Sequence, residues 1–151
     1  MIYMAVIDTN ILISALLSKK EDSATVKIIE KLISGDIIPV YSKEILSEYR
    51  EVLSRKKFSF SQDTISYLLS AIEKFGILVQ TSEKENISLP DVKDIPFYKI
   101  IKENSNVYLV TGNTKHFPME PFILTARQMI NLLEEANGKS KETSIGNENN
   151  E

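Results

Sequence analysis

Short apolar runs rich in β-branched residues recur between segments of helical period, and that alternation constrains this chain more than any other feature. Residues 3 to 8, "DIIPVYS", "ILVQ" and "NVYLVTGN" read as strands, with a brief extended piece at Phe122 to Leu124. Between them lie helical patterns from about Ile11, over 22 to 34, after Ser42, over about 62 to 75, in "DIPFYKIIKE", and near Thr125 to Glu135. Strands apolar on both faces suit a parallel sheet, and parallel neighbours need crossover connections, here helical. The expected fold is therefore α/β with a mainly parallel central sheet. Pro39 lacks a backbone donor, so its strand is expected at an edge or to start there. Gly35 is placed to end the second helix, and Ser42 to cap the third.

The chain of 151 residues suits one folded domain, taken as residues 1 to 136. From Asn137 the segment "NGKSKETSIGNENNE" is polar and nearly free of apolar anchors, so 137 to 151 is expected to be a disordered tail. Cysteine is absent, which excludes disulfides, thiolate nucleophiles and cysteine-ligated zinc. No secretory signal order and no run of about 20 apolar residues is present. A soluble, cytoplasmic protein without a membrane span is expected. A formal charge of −3 does not by itself suggest a nucleic-acid binder. Local basic groupings exist nonetheless, at Lys19 and Lys20 and from Arg50 through Arg55, Lys56 and Lys57, each also readable as a solvated helix end.

The first strand stops abruptly at Asp8, followed by Thr9 and Asn10. In open α/β sheets ligands bind outside the carboxyl ends of strands, which is where this carboxylate falls; an ordinary helix N-cap is the competing role. Glu48 lies on the flank of the apolar arc of Ile45, Tyr49, Val52 and Leu53, where pairing with Arg55 is the alternative. Asp94 precedes a helix with Pro96 in its first turn, and is again readable as a cap, with Asp91 a close competitor. Thr111, Gly112 and Asn113 follow a buried strand, where Gly112 suits a sharp turn and Asn113 a turn former. His116 is read as a surface loop residue and left outside the site. Taken together, oxygen-bearing side chains stand after two strands, on one helix and at the start of another. Convergent carboxylates need a cation to neutralise them, and hard oxygen donors select magnesium or manganese.

The ordered set "VIDTNILISALL", "SKEILSEYREVLSRKKF", "DVKDIPFYKII" and "YLVTGNTKHFP" resembles the PIN-domain family, specifically the VapC-like toxins of toxin-antitoxin systems. The resemblance runs from Met4 to about Leu133. It implies a three-layer α/β/α fold and a metal-dependent ribonuclease that cleaves RNA by metal-activated water. It makes Asp8, Glu48 and Asp94 the metal-binding acids, close enough to share one cation, with Asn113 at the fourth acidic position. Thr9, Asn10, Thr111 and Gly112 become supporting residues. A cognate antitoxin partner is implied, and homodimers are frequent in the family. Asn113 departs from the commoner aspartate: one negative charge is lost and an oxygen kept, which favours one-metal catalysis. The same departure keeps a second reading in play, a catalytically weakened PIN-like module that binds RNA or protein. Phosphatase chemistry of the haloacid-dehalogenase type ranks lower, because its second aspartate, two residues after the first, is Asn10 here.

Overall fold

The structure, a computed structural model, describes residues 2–83 and 87–148. Five strands, β1 (Tyr3–Ile7), β2 (Ile37–Tyr41), β3 (Ile77–Leu78), β4 (Val107–Val110) and β5 (Ile123–Leu124), form a sheet ordered β3-β2-β1-β4-β5. Every pairing is parallel. Six helices flank it: α1 (Thr9–Leu17), α2 (Ala24–Ser34), α3 (Lys43–Leu53), α4 (Gln62–Phe75), α5 (Ile95–Glu103) and α6 (Ala126–Glu148). This is the expected three-layer α/β/α architecture. Helix α2 packs on β2 and α6, while α5, with α3 beside it, covers β1, β2 and β4.

Local chemistry accounts for the helix ends. Ser23, Ser42 and Ser61 each accept a hydrogen bond from the backbone N–H three residues on, satisfying a donor the first turn leaves open. Gly35 closes α2 in the left-handed region at φ 88°. The apolar stripes bury where their spacing directs them: Ile45, Tyr49 and Leu53 on α3, and Ile65, Leu68, Leu69 and Ile72 on α4. At the centre of the sheet, on both of its faces, Ala5 and Val6 of β1 and Leu109 and Val110 of β4 are fully excluded from solvent.

Several expectations differ from the structure. Strand β2 lies inside the sheet, between β1 and β3, although Pro39 sits at its middle. The Pro39 carbonyl faces Gly76, so the missing N–H lies on that same side, just before β3 begins opposite Val40. No ladder bond is lost there. Strand β3 is also shorter than "ILVQ", because only its first two residues pair with β2, and both are exposed. Helix α1 begins two residues earlier than its apolar pattern, immediately after Asp8. Helix α6 continues through the segment from Asn137, and its Ala126, Met129, Ile130 and Leu133 are buried.

Candidate metal centre

The strand order reverses between β1 and β4, since the chain builds outward to β2 and β3 on one side and to β5 on the other. The carboxyl ends of these two strands diverge into separate connections and leave a crevice. Asp8 follows β1 there and Thr111 follows β4. Thr111 Oγ1 donates to Asp8 Oδ2 at 2.7 Å, a buried bond across the crevice. Asn10 makes one bond within the first segment and one across to the second: its amide nitrogen donates to Asp8 Oδ2 at 3.3 Å, and its carbonyl accepts from the Gly112 N–H at 3.1 Å. Gly112 does not adopt a positive φ. A Cβ there would come 3.4 Å from Asn10 Oδ1, so close approach, and not a left-handed turn, is what glycine allows at this position.

Asp8 occupies the N-cap position of α1, yet its carboxylate makes no capping hydrogen bond. It is turned toward β4 instead. With 6% of its surface exposed, Asp8 has its pKa pushed up to about 6, first by burial and further by the charges of Asp94 and Glu48, against the lowering bonds from Thr111 and Thr9. Glu48 is half-buried on α3 and accepts from Thr9 Oγ1. Burial raises its proton affinity, the Thr9 bond lowers it, and the Asp94 charge raises it again. Arg55 pairs with Glu51 at 3.0 Å and is thereby spoken for, which removes the alternative role proposed for Glu48. Behind both acids, the fully buried Tyr49 donates its hydroxyl to the Ile7 carbonyl, and the Asp8 and Glu48 charges help hold its own proton on.

Asp91 and Asp94 are separated in role by the structure. Asp91 caps a short 3-10 turn at residues 92–94, accepting from the Lys93 N–H at 3.0 Å. Asp94 makes no cap bond; its buried carboxylate accepts contact from His116 Nδ1 at 3.2 Å. Burial raises the Asp94 pKa and His116 draws it down. His116 is therefore the neighbour of Asp94 that sequence reasoning left outside the site. Its signal was position: it lies three residues after Asn113, in the loop that follows a central strand. Asn113 itself is exposed, and its backbone N–H donates to Thr111 Oγ1 at 3.0 Å. Among the described residues its side chain makes no hydrogen bond.

The three acids thus arrive from the end of β1, the middle of α3 and the start of α5, with the Asp94 charge raising the proton affinity of both Asp8 and Glu48, and the Glu48 charge that of Asp8. Their side chains are oriented by hydrogen-bond donors and do not form a coordination sphere: among the described residues, no group of three His, Asp or Glu side chains is arranged to hold one ion. The donor chemistry nonetheless fits a hard divalent cation. The side-chain hydrogen bonds fall on one oxygen of each acid, Asp8 Oδ2, Glu48 Oε2 and Asp94 Oδ2. Among the described residues the only Lys, Arg or His nitrogen within 4 Å of any of them is His116 Nδ1, beside Asp94 Oδ2.

A doubly wound parallel α/β domain with acids gathered at its switch point is the class this fold and site define. The chain belongs to the PIN domain family, which matches residues 4–115, a span that takes in Asp8, Glu48, Asp94 and Asn113. PIN domains are in general metal-dependent nucleases. No curated protein matches the chain.

Proposed function

We propose that this PIN domain is a magnesium- or manganese-dependent endoribonuclease, and that it serves as the toxin of a type II toxin-antitoxin pair in the cytoplasm. The observation that carries the nuclease reading is the gathering of Asp8, Glu48 and Asp94, from three separate elements, at the crevice beside β1 and β4. Buried like charges destabilise one another unless a cation joins them, and an oxygen-only donor set favours the hard ions. When bound, such an ion supplies an activated water and stabilises the charge that develops on the phosphodiester. Asp8, Glu48 and Asp94 hold it through their side-chain oxygens. Thr9 and Thr111 fix the orientation of Glu48 and Asp8, and Asn10 and Gly112 lock the two loops together. RNA is the substrate, a cognate antitoxin the partner, and a homodimer the working assembly; these rest on the family resemblance of the four motifs.

Cleavage of a mixed RNA pool by the purified protein, with manganese, magnesium or chelator, tests the reading directly. Metal-dependent cutting is expected, and Asp8→Asn should lower it at least about 100-fold with the fold intact. Equal cleavage by Asp8→Asn removes Asp8 from the site. The exposed amide at Asn113 favours one alternative, a weakened module that binds RNA without turning it over. Stoichiometric RNA retention with no cleavage under either metal would select it, and Asn113→Asp would then be expected to restore cutting.

A further inference from the structure

The loop after β4 brings no carboxylate to the centre, since Asn113 stands where an acid would and its side chain makes no hydrogen bond among the described residues. The same loop does bring an imidazole. A short 3-10 turn at residues 114–116 closes with the His116 N–H donating to the Asn113 carbonyl at 3.0 Å, and it aims Nδ1 at Asp94 Oδ2. Asp94 is the acid that most needs such a partner. Asp8 and Glu48 each receive a threonine hydroxyl, whereas Asp94 sits at the junction of a 3-10 turn with α5 and makes no bond to its own helix.

Resting on the nuclease reading above, we infer that His116 is a positioning residue that holds Asp94 Oδ2 through Nδ1–H and leaves Oδ1 directed toward the metal. An imidazole is suited to this in a way that a lysine is not. A neutral ring donates one hydrogen bond in a fixed direction without cancelling the carboxylate charge that a cation requires. The side chain is 43% exposed while that of Asp94 is 13% exposed, so the contact joins a partly exposed ring to a largely buried carboxylate. The loop that lacks the fourth acid thereby contributes to the site through the third.

The test is manganese titration of the full chain by calorimetry, with RNA cleavage measured alongside, for wild type, His116→Ala, His116→Asn and Asp8→Asn. Loss of an outer partner of a metal ligand typically weakens metal binding roughly 10- to 100-fold, and His116→Ala should do so, lowering kcat with KM for RNA little changed. The Asn side chain carries an N–H donor on Cγ, as His carries Nδ1, so His116→Asn should recover most of the lost metal affinity. Wild-type manganese affinity in a folded His116→Ala protein overturns the inference, as does a rise in KM alone, which would make His116 a contact to RNA. If Asp8→Asn loses metal while His116→Ala keeps it, the inference falls and the nuclease reading stands. If wild type binds no manganese, both fall.

Discussion

At the scale of single residues, Asp8 shows how a buried carboxylate weakens the fold holding it. The unfolded chain releases this proton near 3.8, and the folded protein only near 6. Between those values the native state binds more protons than the unfolded one, so stability falls as pH rises through the window. About two pH units correspond to roughly 3 kcal/mol, present at pH 4 and lost by pH 7. Glu48 and Asp94, also raised, act in the same direction. Urea unfolding in chelator is therefore expected to give Asp8→Asn a higher midpoint than wild type at pH 7.5, and to find that advantage shrinking toward pH 4.5. A variant less stable than wild type at pH 7.5 would show that the carboxylate is not the burden its burial implies. Sequence reasoning found Asp8, Glu48 and Asp94 from their positions beside apolar runs, but their roles stayed open between cap, ion pair and ligand. The structure bears on the cap and ion-pair readings: Asp8 makes no cap bond, Arg55 pairs with Glu51, and Asp91 makes a cap bond.

Among the elements, the helices were legible and the strands less so. Caps and stripes act within one or two turns, so Gly35, Ser42 and the arc of Ile45, Tyr49 and Leu53 could be placed without knowing their neighbours. Pro39 misled because a proline's cost depends on which side of the strand lacks a partner, and that is a property of the sheet. Its contact with Gly76 yields a prediction at this scale. A Cβ at Gly76 would stand 2.4 Å from the Ile72 carbonyl oxygen and 2.6 Å from that of Pro39, both backbone atoms. Gly76→Ala should therefore cost at least about 2 kcal/mol by chemical denaturation. Gly35 has open space around its Cβ position but φ 88°, so Gly35→Ala should cost only about 1 kcal/mol, from backbone strain alone. The reverse order would mean that the chain connecting α4 to β3 can shift away from β2.

For the whole molecule, the proposed metal site would couple folding to metal. A ligand that binds only the native state stabilises it by RT ln(1 + [L]/Kd), about 2.7 kcal/mol at a hundredfold excess over Kd. Manganese should raise the melting temperature at pH 7.5 and do so much less at pH 5, where Asp8 is mostly protonated. An equal rise at both values would place the ion somewhere other than Asp8. Among the described residues no helix is long and apolar enough to cross a membrane. By itself the sequence determined the helices, their caps, the parallel α/β class and the acids worth watching, because periodicity and capping are decided by neighbours a few residues away. Only the tertiary structure decided which of those acids meet. Thr9 reaches Glu48 across 39 positions, His116 reaches Asp94 across 22, and Thr111 reaches Asp8 across 103. Contacts at such separations follow from the strand order that buries both faces of the sheet, and no local pattern in the chain encodes that order by itself.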